Sequence, residues 1–210
     1  MSEGPKFRRR KEARPAEILN AALDVFSEKG FAAARLDEIA KRAGLSKGTL
    51  YLYYATKEEL FSAVITQAIA PDLGRIRSEA TAVVPFSVFV RAFLLQLATR
   101  ARSGRIAPIA KMVIAESRTF PDLARHWHDQ AVRPMLDFVA GEVEAAQGRG
   151  EVRPGDPFLY ALQIVGPFIL GILWTETFVP IGAESVEFER LVDQHVATLL
   201  AGLMGTEIAS

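Results

Sequence analysis

The chain contains no cysteine, so thiol nucleophiles, thiolate zinc sites and disulfides are excluded outright. Strict alternation of apolar and polar residues is almost absent, which argues against strands. Its longest apolar run, Ile164 to Trp174, spans 11 residues and is interrupted by Gly166, Pro167 and Gly171. That falls short of the roughly 18 expected of a membrane span. The amino terminus, Met1 to Arg14, lacks the apolar stretch of a secretory signal. Glycine-rich phosphate loops and metal-ligand spacings are also missing. His126 and His128 stand two apart, so on a helix they point about 200° away from each other. No cofactor and no metal are expected, and the reading is cytoplasmic with no membrane partner.

What remains is apolar and ample. Half of the 210 residues are hydrophobic and 24% are charged, the composition of a folded globular chain rather than a disordered one. The 25 basic and 25 acidic residues cancel overall, yet residues 1–57 hold 12 Lys/Arg against 7 Asp/Glu, a local charge of +5. A basic head on an acidic body is what one end meeting a polyanion requires. The tail Lys6 to Arg14 either tracks a nucleic-acid groove or is simply solvated.

Helical spacing recurs along the whole chain, so the fold class is all-α. Ile18, Ala22, Val25 and Phe26 share one helix face, and Gly30 ends that helix. Leu36, Ile39, Ala40 and Ala43 form a short second helix ending at Gly44. Ser46 caps a third from Lys47 to about Tyr54. Thr56 and Glu59 form a capping box for a fourth, whose apolar face is Leu60, Phe61, Val64, Ile65 and Ala68 and which Pro71 ends or kinks. Further helices are predicted at 85–102, 106–117, 121–147, 157–178 and 184–204.

The segment Leu36 to Leu60, LDEIAKRAGLSKGTLYLYYATKEEL, reads as a helix-turn-helix. Gly44 suits the turn because it tolerates positive φ, and Ala40 is small where the helices cross. The second helix would enter a DNA major groove. Lys47 can reach phosphate or guanine, Thr49 phosphate or base, and Tyr51 and Tyr53 offer hydroxyls to phosphate. Leu50 and Tyr54 face inward. Lys57 begins the next helix, where free N–H groups favour a phosphate.

These residues resemble the signature of the tetracycline-repressor (TetR) family: Ile39-Ala40, Ala43-Gly44-Leu45-Ser46, Gly48-Thr49, Tyr51, Tyr53-Tyr54, Lys57-Glu58 and Leu60. The resemblance covers about a quarter of the chain. It implies that Lys47, Gly48, Thr49, Tyr51, Leu52, Tyr53 and Lys57 line DNA. Ala34 stands where the family usually carries a capping Thr or Ser, and Arg35 is the substitute phosphate contact.

Residues 1–14 are thus read as a basic tail, 15–60 as the helix-turn-helix domain and 61–210 as a helical effector-binding and dimerisation domain. The last two helices are apolar enough to pair two copies into a four-helix bundle. The interface candidates are Phe158, Leu162, Val165, Ile169, Leu191, Val192, Val196, Leu199, Leu200 and Leu203. The resemblance implies the same homodimer and an effector pocket, with Met112, Glu116, Phe120, Trp127, Phe168, Ile172 and Trp174 as candidates for a small, largely apolar ligand. The function expected is a ligand-responsive regulator on double-stranded DNA with an inverted-repeat operator, a repressor released by its effector. An enzyme using Glu116 and His126 as acid and base and a non-specific DNA binder are the alternatives.

Overall fold

The computed structural model describes the backbone at 5–66, 84–102 and 106–203, with side chains from residue 15 onward. Every regular element among these residues is helical. They fall into two compact units, one of residues 1–71 and 112–130, the other of 72–111 and 131–210. The basic tail's side chains, Ala68 and Pro71 lie outside the described residues.

The first unit is built on α1 (Pro5–Ala33), α2 (Leu36–Arg42), α3 (Lys47–Tyr51) and α4 (57–66). It also takes in the end of α6 (Ile106–Glu116) and all of α7 (Pro121–Trp127). The predicted apolar face of α1 is buried, with Ile18, Ala22 and Val25 at 0% exposure. Gly30 ends the regular helix, as expected, and a separate turn follows it within the α1 span. Its φ of 76° and ψ of 171° kink the chain, and one further turn runs to Ala33. Three phenylalanines interlock behind the kink: Phe26, Phe31 and Phe61 have ring centroids 5.5–5.7 Å apart.

The second unit contains α5 (Phe86–Arg102), the start of α6, α8 (Arg133–Gly148), α9 (Pro157–Thr177) and α10 (Phe188–Leu203). α9 packs against α8, α5 and α10. Their shared core runs from Phe86, Val90 and Leu94 through Val139 and Val143 to Ile164, Phe168 and Val192. Asp156 caps α9 by accepting from the N–H groups of Phe158 and Leu159. Gly171 lets α10 approach closely, because a Cβ there would stand 3.1 Å from the Phe188 ring.

Two sequence expectations change here. The helix predicted over 121–147 is α7, a π-helical turn at His128–Val132, and then α8. Pro134, in the first turn of α8, has no N–H to donate and crowds the preceding carbonyls, and the wider turn before it accommodates both effects. The apolar run also understates α9. Together with the 3₁₀ turn Val179–Ile181, Pro157–Ile181 is long and apolar enough to cross a membrane, its most apolar 18-residue window having a mean hydropathy of 1.8. The buried part of that stretch is core of the second unit.

Candidate nucleic-acid interface

The α2–α3 pair is closed by local backbone chemistry. At the end of α2, the Leu45 N–H donates to Ala40 O at 2.9 Å and the Gly44 N–H to Lys41 O at 3.1 Å. This is a Schellman motif, and it places Gly44 at φ 68°, where a side chain would be strained. Ser46 then caps α3: its Oγ accepts the Thr49 N–H at 3.1 Å and pairs with the Thr49 hydroxyl at 2.8 Å. The helix is shorter than predicted, passing into a turn after Tyr51. Thr56 caps α4 through the Glu59 N–H, and Glu59 reaches back to the Ala55 N–H at 2.8 Å, one residue earlier than a standard capping box.

Leu50, fully buried, pins α3 to the unit's core and leaves the opposite face outward. Lys47 and Gly48 are exposed, as are Tyr51 and Tyr53, and Leu52 is 86% exposed. Nothing lies within 4 Å of where a Gly48 Cβ would be, so a phosphate can approach that backbone closely. Thr49 and Tyr54 are half-buried, and burial raises the Tyr54 phenol above its ordinary pKa. The Lys47 ammonium stands 2.8 Å from the Asp37 carboxylate, which raises its pKa. Both groups are exposed, so water and salt screen the pair. Arg42 is held by Glu28 and Lys29 by Glu38. Arg35 is exposed and occupies the N-cap position of α2 without a side-chain cap. With Asp37, Glu38, Lys41 and Arg42 it lines a shallow depression.

Lys57 requires a correction. Its ammonium donates to the carbonyls of Phe31, Ala32 and Ala34 at 2.6, 3.1 and 3.2 Å and sits 4.5 Å from the centroid of the Phe31 ring. An ammonium has three donors, and all three are committed inside the protein rather than offered to phosphate.

The predicted effector contacts do not share one environment. In the first unit, the Glu116 carboxylate accepts the N–H groups of Phe31 at 2.7 Å and Ala32 at 2.8 Å. Phe120 stacks edge-on against Phe31 at 5.2 Å, Met112 is buried and Trp127 is half-buried. In the second unit, Phe168 is fully buried against Phe188, and Ile172 is buried beside it in the core. These two are structural core, a correction to their assignment. Trp174 is partly exposed and its indole N–H donates to Glu184 O at 2.8 Å.

The acid–base pair of the enzyme reading is not formed. Both Glu116 oxygens serve backbone amides, and the buried Nε2 of His126 has no hydrogen-bond partner. Gly44-Leu45-Ser46-Lys47-Gly48 has the G-x-S-x-G spacing of a nucleophile elbow, but it joins two helices instead of a strand and a helix. Ser46 there is occupied as a cap.

The interface candidates also divide. Phe158, Leu162 and Ile169 are exposed on α9. Val165, Val192, Val196, Leu199 and Leu203 belong to the chain's own core, with Leu191 and Leu200 packed against it. Helical periodicity marks a face that needs covering but does not say whether the cover comes from the same chain. The outward apolar face of α9 includes two residues that sequence reasoning missed, Leu159 at 53% and Leu170 at 66% exposure.

Comparison with known proteins agrees with this geometry. Residues 18–64 match the bacterial regulatory proteins of the tetR family, and residues 90–202 match the C-terminal domain of AefR-like transcriptional repressors. The HTH-type transcriptional regulator UidR of Escherichia coli (strain K12) is 29% identical over 195 residues, covering 92% of this chain and 95% of UidR. A TetR-family transcriptional regulator from Mesorhizobium loti superimposes with a TM-score of 0.74 at 25% identity, over 93% of this chain and 98% of that one. The FadR regulator from Bacillus subtilis, solved in complex with stearoyl-CoA, shares the fold at a TM-score of 0.72 and 19% identity, over 89% of this chain and 98% of FadR. A helix-turn-helix head with an outward-facing α3, joined to an AefR-like helical domain, makes this chain a member of the TetR family of DNA-binding transcriptional regulators.

Proposed function

We propose that this regulator works in the cytoplasm as a homodimeric repressor that holds an inverted-repeat operator and releases it when a small, largely apolar effector binds. The observation that carries the DNA reading is α3 itself: buried Leu50 fixes the helix while Lys47, Gly48, Tyr51, Leu52 and Tyr53 stand outward. Thr49 and Arg35 flank that surface. A five-residue recognition helix makes few base contacts alone, so two heads on a two-fold axis supply the missing affinity. The outward face of α9, with Leu159, Leu162, Ile169 and Leu170, is the surface we assign to the partner copy.

An apolar effector suits the chain's supply of 13 phenylalanines, and the shared fold takes stearoyl-CoA in the FadR structure. Met112, Phe120 and Trp127, all of the first unit, remain the effector contacts we propose. Release requires the effector to prefer the DNA-incompetent state by about 5.5 kcal/mol for a nearly complete switch.

Selection of bound duplexes from a random pool, at near-physiological salt, tests this reading. Enrichment of an inverted repeat is expected. Salt-sensitive binding without enrichment would replace it with a non-specific DNA binder, and no binding by effector-free protein would overturn both.

A further inference from the structure

Beyond Gly30 the chain makes one isolated helical turn, and that turn has no neighbours in sequence to satisfy its ends. Two distant side chains do so. On the amino side, Glu116 takes the N–H groups of Phe31 and Ala32, one on each carboxylate oxygen. On the carboxyl side, Lys57 covers the carbonyls of Phe31, Ala32 and Ala34. Negative charge at the N–H end and positive charge at the C=O end is the arrangement that a helical turn's dipole favours. The bonds are charge-assisted and so stronger than neutral ones. Gly30 is part of the device, since a Cβ there would lie 2.5 Å from Glu116 Oε1.

The positions of the two clamping residues matter. Ala34 and Arg35 follow the turn directly and lead into α2, so the clamped turn sets the angle at which α2 and α3 leave α1. Lys57 opens α4, immediately after the reading segment. Glu116 ends α6, the helix whose other end belongs to the second unit. Within that unit, Lys111 of the same helix donates to Glu176 O at 2.7 Å, near the end of α9. Only four residues separate Lys111 from Glu116 along α6.

We propose that Glu116 is a positioning residue for operator reading, clamping the Phe31–Ala32 turn from the end of α6 while Lys57 clamps it from α4. The proposal rests on the regulator reading and adds the residue that fixes the Phe31–Ala32 turn within the head. A ligand that displaces the last turn of α6 must either drag the clamped turn with it or break both amide bonds.

The test compares wild type with Glu116→Gln and Gly30→Ala in the full chain. Glu116→Gln removes the charge and one acceptor with little change in size, and Gly30→Ala attacks the same contact from the other side. Anisotropy titrations use the selected operator duplex and a scrambled duplex of equal length, and hydrogen exchange is followed across 31–53 without DNA. Expected for both variants is at least a tenfold loss on the operator, a change within twofold on the scrambled duplex, and faster exchange at Phe31 and Ala32. Unchanged operator affinity with unchanged exchange would overturn the proposal, as would equal losses on both duplexes. If wild type itself ignores the operator, the regulator reading fails, and the exchange comparison alone decides whether Glu116 clamps the turn.

Discussion

Glu151 Oε2 accepts the backbone N–H of Phe86 at 2.6 Å, so a carboxylate from the loop after α8 caps the start of α5 from 65 residues away. Arg149 holds the other oxygen at 2.6 Å. The hydrogen bonds from Arg149 and from the Phe86 amide lower the Glu151 pKa below its ordinary value of 4.5. A carboxylate whose folded pKa is depressed contributes stability above its unfolded pKa, and that contribution disappears as pH falls through the folded value. Glu151→Gln is therefore expected to lower Tm at pH 7 and to match wild type progressively below the ordinary glutamate range. Thermal melts of both proteins from pH 7 to pH 3 check this, and a pH-independent difference would remove the charge from the account.

The Lys47–Asp37 pair is exposed on both sides, so it restrains the lysine weakly and competes with phosphate. Asp37→Asn is expected to strengthen DNA binding severalfold, because it frees Lys47 and removes a negative charge near the backbone. Lys47→Ala is expected to cost about 1–3 kcal/mol if the lysine reads guanine. If it meets only phosphate, the loss is uniform across sequences and the salt slope falls by about 1. Titrations of both variants at three salt concentrations, on the selected and a scrambled duplex, separate these outcomes.

Much of the reading head was legible in the sequence because its logic is local. Ser46 caps α3 three residues away, Gly44 takes the positive φ of its turn, and Leu50 is buried one helical step from exposed Tyr51. Lys57 and Glu116 were misplaced for the opposite reason. Lys57 reaches carbonyls 23–26 residues back and Glu116 amides about 85 residues back. No spacing rule announces such pairs. The same limit assigned Val165 and Val192 to a subunit interface: their apolar stripes are real, but the covering helix lies within the chain. The boundary drawn at residue 60 likewise missed residues 112–130, which group with the head.

Neighbouring leucines on α3 and its following turn give a clean contrast. Leu50 is fully buried and Leu52 is 86% exposed. Leu50→Ala is expected to destabilise the protein by about 2–5 kcal/mol, as large-to-small core changes do. Leu52→Ala is expected to stay within about 0.5 kcal/mol of wild type while weakening operator binding, since an exposed leucine there can meet a thymine methyl. Denaturant melts beside operator titrations check both residues. A Leu52→Ala protein with wild-type affinity would place Leu52 outside the groove.

The outward face of α9 yields the last prediction. Leu162, Ile169 and Leu170 flank Gly166, where a Cβ would meet nothing within 4 Å. A partner helix can therefore approach closely along that stripe. Leu170→Glu places a charge on the stripe without touching the chain's own core, so the protomer is expected to stay folded and fail to pair. Light scattering should give wild type at twice the chain mass of 23.0 kDa and the variant at that mass itself. Helical circular dichroism should be unchanged. Operator affinity should fall by a factor on the order of 10²–10⁴, the gain that linking two heads can supply. Val192→Glu is the informative control, because Val192 is fully buried within the chain. An unpaired charge at that site is expected to unfold the protomer rather than split a folded pair. A dimeric Leu170→Glu protein would move the subunit interface away from α9.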